Sequence, residues 1–162
     1  MSEAEAAAAE GEVPAGAVIA RADGSIVARA RNRVIALRDP TAHAEILAIR
    51  EASRILSNYR LEGLVLAATL EPCAMCLAAC LHARLRAVIF GAPEPKWGAA
   101  GSLLDLSSVP GLNHRLELLE GGVLAAECAD AIKAFFRGIR KAAASSVEGG
   151  AERKRPGLPG PG

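Results

Sequence analysis

The chain has 162 residues, a formal net charge of +1 and 51% hydrophobic residues. This length suits one domain, the apolar fraction excludes a disordered protein, and the balanced charge excludes a global attraction to nucleic acid. No apolar run approaches the roughly 18 to 20 residues of a membrane helix, and the acidic, alanine-rich beginning lacks the pattern of a secretory signal, so we expect a cytoplasmic protein without membrane contact.

The beginning of the chain predicts a short helix followed by a β-hairpin. Ser2 and Glu5 form a capping-box pattern that opens a helix ended by Gly11. Alternating apolar residues predict two antiparallel strands at 15–22 and 25–30, and the Asp-Gly pair between them is typical of a tight hairpin turn.

The middle of the chain predicts two helices, each followed by a strand. Thr41 follows an Asp-Pro break and is expected to cap a helix that runs to about Leu56. The apolar run at 64–70 has the length of a strand, and 73–83 predicts a buried helix that begins just after a proline. A short strand is expected at 86–90.

The last third of the chain predicts a loop, a strand, a long helix and a tail. A Gly/Pro-rich loop at 91–101 precedes a strand at 115–119 and a helix from 122 to about 143. We therefore divide the chain into a folded domain at 1–143 and a disordered tail at 144–162, which is rich in Gly, Pro and basic residues. The order of elements predicts a three-layer α/β/α domain with a mixed five-stranded sheet flanked by helices.

Three residues at the starts of two predicted helices indicate a metal site. Cys73 and Cys76 share one helical face, and His43 can supply a nitrogen ligand. Sulfur ligands favour zinc over magnesium or calcium, and three protein ligands leave a fourth position for water, which is typical of catalytic zinc. The alternative that Cys80 closes the site is disfavoured, because seven helical residues separate it from Cys73 by about 10 Å along the axis.

Glu45 is the candidate catalytic residue. Its spacing of two from His43 does not place both side chains on one helical face, and a lone helical glutamate is usually solvated. A carboxylate beside a zinc site can, however, take a proton from water and return it to a leaving group. We therefore predict that Glu45 is the proton carrier of a hydrolytic enzyme.

Six segments carry a resemblance to a known family. They are 39–46 (Asp-Pro-Thr-Ala-His-Ala-Glu-Ile), 58–61 (Asn-Tyr-Arg-Leu), 69–76 (Thr-Leu-Glu-Pro-Cys-Ala-Met-Cys), 98–103 (Gly-Ala-Ala-Gly-Ser-Leu), 113–115 (Asn-His-Arg) and 135–137 (Phe-Phe-Arg). In this order they resemble the bacterial tRNA-specific adenosine deaminases of the cytidine deaminase superfamily, over about residues 12–141. The segments 39–46 and 69–76 are also similar to cytidine and guanine deaminases.

The resemblance implies an activity, a cofactor and partners. It implies deamination of the wobble adenosine in a tRNA anticodon stem-loop to inosine by a homodimer with one zinc ion per subunit. By the same resemblance, His43, Cys73 and Cys76 match the zinc ligands and Glu45 matches the proton shuttle.

The resemblance also suggests residues that bind the substrate. They are Asn32, Ala44, Glu94, Lys96, Phe136, Arg137 and Arg140. Asn32 matches an asparagine that lines the base pocket, Glu94 stands where the family usually has an aspartate near a ribose hydroxyl, and the last three match a helix that meets the anticodon loop.

Two alternatives and two departures from the family remain open. The chain could deaminate a free nucleobase or nucleoside such as guanine or cytidine, or it could be a non-catalytic, zinc-stabilised RNA-binding module. The first helix is shorter than is usual in the family. Trp97 stands where the family commonly has a smaller residue, and it could stack on a base or cover its own loop.

Overall fold

The computed structural model describes residues 1–148 of the chain. In chain order, its elements are α1 (Ser2–Ala9), β1 (Gly16–Ala20), β2 (Ile26–Arg31), α2 (Val34–Leu37), α3 (Ala44–Leu56), β3 (Val65–Leu70), α4 (Ala74–His82), β4 (Ala87–Ala92), a 3-10 turn (Leu106–Ser108), β5 (Leu118–Glu120) and α5 (Ala125–Glu148).

The five strands form one mixed sheet in the order β2-β1-β3-β4-β5. β1 pairs antiparallel with β2 and β3, whereas β3, β4 and β5 are parallel. Helices α3 and α4 cover one face of this sheet, and α1 and α5 pack on the other. The predicted three-layer α/β/α fold with a mixed five-stranded sheet is confirmed.

The main core lies between the sheet and the α3/α4 layer, and it is aliphatic. Ile19, Leu66 and Val88 project from neighbouring strands and are fully buried. Ala48 of α3 and Leu77 of α4 pack against them. Small alanine side chains on the buried face of α3 let this helix approach the sheet closely, so that its first turn is held firmly in place.

The crossover between β3 and β4 determines where a site can form. Because these strands are parallel, α4 must return the chain across the sheet, and its first turn therefore lies at the carboxyl edge of β3. Helix α3 also begins at this edge, and the two helices are in contact. Ligands commonly bind at such an edge, outside the carboxyl ends of the strands.

The starts of two helices differ from the sequence prediction. Helix α1 begins at Ser2 with Met1 as its N-cap, so the predicted capping box does not form. Helix α3 begins at Ala44 with His43 as its N-cap, not at Thr41. The Thr41 hydroxyl instead donates a hydrogen bond to Asp39 Oδ1 at 2.7 Å within a turn, which leaves it unable to cap the helix.

The end of the chain also differs from the prediction in its boundaries. β5 begins at Leu118, later than expected, and α5 continues to Glu148. The helix end predicted near residue 143 is therefore too early, whereas the division into a folded domain at 1–143 and a disordered tail at 144–162 stays a prediction, because residues 149–162 lie outside the described residues. Within the described chain, no helix combines the length and apolar character that a membrane crossing requires.

The close packing of α5 on the sheet predicts a stability difference between two glycine variants. A Cβ added at Gly91 would clash with Cys128 Sγ and lie 2.7 Å from the Thr69 carbonyl oxygen. Gly91→Ala should therefore destabilise the fold by about 1–3 kcal/mol, measured as a lower thermal midpoint.

Gly138→Ala is the matched control, because its Cβ meets nothing within 4 Å on α5. It should raise the midpoint slightly, since alanine is favoured over glycine in a helix by about 0.5–1 kcal/mol. Equal midpoints for the two variants would show that α5 does not pack on β4 as described.

Candidate functional site

Two helix N-termini meet at the carboxyl edge of β3. His43 is the N-cap of α3, Cys73 is the N-cap of α4, and Cys76 lies in the first turn of α4. His43 Nδ1 is 3.7 Å from Cys73 Sγ and 3.5 Å from Cys76 Sγ. The structure thus brings together three residues that the sequence separates, as predicted.

The geometry of this cluster fits zinc. The three ligand atoms all lie within 4.8 Å of one another, and among residues 1–144 no further acidic, His or Cys side chain joins them. Tetrahedral zinc, with bonds of about 2.3 Å to sulfur and about 2.0 Å to nitrogen, puts sulfur and nitrogen about 3.6 Å apart. The observed separations match this value. Cys80 is buried outside the cluster, so the site retains an open position.

The electrostatics of the two thiols also suit a metal ion. The Cys76 thiol donates a hydrogen bond to Cys73 Sγ, and this contact lowers the pKa of Cys73 to about 4. The same contact, together with burial, raises the pKa of Cys76. A divalent cation bound between them would allow both sulfurs to ionise and bind as thiolates.

Glu45 lies against the cluster, which the sequence spacing did not predict. Its side chain is buried, with 6% of the residue exposed, and it contacts the Cys76 thiol. His43 has extended backbone angles of φ −70° and ψ 153°, so helical spacing does not apply between it and Glu45. Burial raises the pKa of Glu45, which is the direction that a proton carrier working near neutral pH requires.

A second buried acid, Glu71, organises the loop beside the metal ligands. Its carboxylate accepts hydrogen bonds from the backbone N–H groups of Glu94 at 2.9 Å, Ala100 at 2.9 Å and Ser102 at 3.0 Å. Burial raises its pKa, but these hydrogen bonds outweigh burial and lower it overall. Gly98 of this loop pairs with Cys73 in an isolated β-bridge. Glu71 therefore holds the loop against the ligand-bearing helix.

A third buried acid, Glu12, orients Asn32 at the end of β2. Glu12 Oε2 accepts from Asn32 Nδ2 at 3.1 Å, and Oε1 accepts from the Ala36 N–H at 2.8 Å. Because a carboxylate only accepts hydrogen bonds, the Asn32 amide nitrogen faces Glu12 and its carbonyl oxygen faces away. The backbone N–H of the next residue, Arg33, donates a hydrogen bond to the carbonyl of Ala42, which directly precedes the ligand His43.

Sequence reasoning missed Glu12 and Glu71. The available signal was their position, because Glu71 stands between a predicted strand and a proline, and Glu12 lies two residues before Pro14 and three before a predicted strand. Acidic residues are usually solvated, so the structural roles of Glu12 and Glu71 are visible only in the structure, where they are 1% and 2% exposed, respectively.

Three predicted substrate contacts lie close to the cluster in the fold. Ala44 is the first residue of α3 and is buried, so its N–H belongs to the first turn, where no acceptor within the helix exists. Glu94 and Lys96 lie in the loop held by Glu71, and Glu94 Oε1 accepts from the Lys96 N–H at 2.9 Å. Contact of these residues with a substrate stays a prediction.

Three other predicted contacts do not join the metal cluster. Phe136, Arg137 and Arg140 are exposed on α5, which packs on the face of the sheet opposite α3 and α4. The Phe136 ring lies edge-on to Phe135, with centroids 5.4 Å apart. Any contact of these residues with RNA must therefore involve a part of the RNA outside the base pocket.

Comparisons with known proteins agree with this site. The family model of the cytidine and deoxycytidylate deaminase zinc-binding region matches residues 1–92, which include all three ligands. The tRNA-specific adenosine deaminase of Bacillus subtilis is 45% identical over 141 residues, covering 87% of this chain and 86% of that protein.

Two solved structures share the fold. One, described as a tRNA:A34 deaminase that performs A-to-I editing at the wobble position, has a TM-score of 0.76 and 43% identity, covering 80% of this chain and 93% of that one. A guanine deaminase from Bacillus subtilis has a TM-score of 0.54 and 43% identity, covering 57% of this chain and 59% of that one. The chain therefore belongs to the cytidine and deoxycytidylate deaminase family, and within it to the tRNA-specific adenosine deaminases.

Proposed function

We propose that this protein deaminates the wobble adenosine of a tRNA anticodon. In this reaction water adds its oxygen to C6 of adenine, the bond between C6 and the amino nitrogen breaks, and inosine and ammonia are formed. The observation that carries the proposal is the three-ligand cluster with the buried Glu45 carboxyl directly against it. The names of the relatives support the choice of a tRNA adenosine as substrate.

Each residue of the cluster has a distinct role in this reaction. His43, Cys73 and Cys76 would hold a zinc ion, and when bound this ion would supply an electrophile that makes water reactive at neutral pH. Glu45 accepts a proton from water and passes it to a ring nitrogen of adenine; it then accepts the remaining proton of the hydroxyl added at C6 and passes it to the departing amino group. Burial keeps bulk water away from Glu45, so the proton is not lost between the two transfers.

The remaining predicted contacts hold the RNA. Asn32 and Ala44 line the base pocket, and Glu94 lies beside the ribose. Lys96, Phe136, Arg137 and Arg140 contact the rest of an anticodon stem-loop, whose unpaired bases can be turned outward at low cost. We further propose that the protein works as a homodimer in the cytoplasm, as the family resemblance suggests.

Two other functions make different predictions for the same site. Likeness to a guanine deaminase favours a free-base substrate as the second candidate. A non-catalytic RNA-binding module would need no buried acid beside the metal, so the position of Glu45 argues against it.

The substrate class can be tested directly. The zinc-loaded protein should convert adenosine to inosine in an unmodified anticodon stem-loop. It should leave free guanine, cytidine and adenosine unchanged, because only the RNA is large enough to reach Lys96 and the proposed contacts on α5. Chromatography of nuclease-digested RNA measures the product. Turnover of a free base without any inosine in the stem-loop would refute the proposal in favour of the second candidate.

The role of Glu45 predicts a large and specific loss of activity. Glu45→Gln keeps the size of the side chain but cannot carry a proton, so kcat should fall by about 10²–10⁴-fold while zinc stays bound. Glu51→Gln, on the exposed side of the same helix, is the matched control and should keep its activity. Full activity of Glu45→Gln, with zinc content confirmed by metal analysis, would contradict the mechanism.

The proposed contacts on α5 predict a change in salt dependence. Each phosphate contact contributes about 0.7–0.9 to the slope of log affinity against log salt, so Arg137→Ala and Arg140→Ala should each lower this slope by up to about 1. Arg54→Ala removes one charge from α3 instead and should leave the slope unchanged. Binding of the stem-loop, measured by anisotropy at several salt concentrations, tests this, and an unchanged slope in the Arg137/Arg140 double variant would exclude α5 as a contact surface.

A further inference from the structure

Trp97 is an exposed aromatic residue on the rim of the metal site. It is the only tryptophan of the chain, and 72% of it is exposed. The following residue, Gly98, pairs directly with the ligand Cys73. This exposure excludes the possibility that Trp97 covers its own loop, because a covering indole would be largely buried.

The turn that presents Trp97 is fixed in place. The Gly98 N–H donates to the Glu94 carbonyl at 2.8 Å, and the Lys96 N–H donates to Glu94 Oε1 at 2.9 Å. The buried Glu71 carboxylate accepts a hydrogen bond from the Glu94 N–H and so holds the start of this turn. The backbone that carries the indole is therefore ordered before any ligand binds, which reduces the entropy lost on binding.

We propose that Trp97 is a stacking platform for a nucleobase that flanks the reacting adenosine, a contact that rests on the proposed function. Turning a base outward into the pocket breaks its stacking with its neighbours in the anticodon loop. An exposed indole beside the pocket replaces one of these lost contacts. Every base has a π-face, so the platform accepts any flanking base, and the adjacent Lys96 places a positive charge where the backbone phosphate of that nucleotide passes.

The platform predicts a loss of binding in Trp97→Ala. Stacking of one base on an aromatic side chain corresponds to about a 5- to 100-fold change in affinity. KM for the stem-loop should rise by a factor in this range, kcat should change less than threefold, and Trp97→Phe should recover most of the affinity. Tyr59→Ala is the matched control, because Tyr59 is 71% exposed but follows the opposite end of α3. Zinc content and thermal midpoint should be unchanged in all three variants.

A stem-loop with an abasic flanking nucleotide identifies the partner of Trp97. If the indole stacks on that base, Trp97→Ala should have no further effect on KM when the base is absent at the correct position. An equal effect of Trp97→Ala on intact RNA and on RNA abasic at either flanking position would overturn the proposal.

The fluorescence of the sole tryptophan gives a readout independent of activity. Stem-loop added to the Glu45→Gln protein should quench this emission, and RNA lacking the stacked base should not. Deamination of the stem-loop without any quenching would overturn the platform and leave the proposed function intact. Quenching without deamination by the native protein would refute the proposed function alone.

Sedimentation experiments test whether Trp97 belongs to a protein interface instead. If Trp97→Ala weakens self-association while RNA affinity is unchanged, the indole belongs to such an interface and the proposal is wrong.

Discussion

The structure depends on the meeting of two helix N-termini at one edge of the sheet. There the imidazole of His43 comes within 3.5 and 3.7 Å of two thiols that lie some thirty positions further along the chain. Helix N-termini favour anionic groups, and thiolates are the form in which cysteine binds a metal. The two helix N-termini that the fold brings together thus stabilise the thiolate charges that a metal site requires.

Three buried glutamates around this point perform three different tasks. Glu45 is buried against the metal cluster, and burial raises its pKa, which is the direction that proton exchange near neutral pH requires. Glu71 is equally hidden, but backbone N–H groups surround its carboxylate and keep it ionised as an anchor for the loop. Glu12 accepts a hydrogen bond from the side-chain amide of Asn32 and so fixes its orientation. Local hydrogen bonding, and not residue type, separates the acid whose pKa is raised from the acid whose pKa is lowered.

The surface around the pocket suits a large and partly unpaired substrate. The overall charge is close to zero, so attraction to RNA must come from local contacts. The loop held by Glu71 offers a cation and an exposed indole beside the ligand Cys73, and α5 offers arginines on the far side of the sheet. Because these surfaces lie on opposite faces of the sheet, an RNA that contacted both would have to extend beyond a single base.

The sequence alone predicted the five strands, the order of the main helices, the residues of the metal cluster and Glu45 as the candidate proton carrier. Periodicity and the chemistry of sulfur and imidazole are local properties that residue types and spacing express directly. The tertiary structure alone decided the direction of the Glu45 side chain, the start of α3 at His43, the tasks of Glu12 and Glu71, and the separation of α5 from the metal cluster. These features depend on burial and on contacts between residues far apart in the chain, and such contacts exist only once the sheet order brings the segments together.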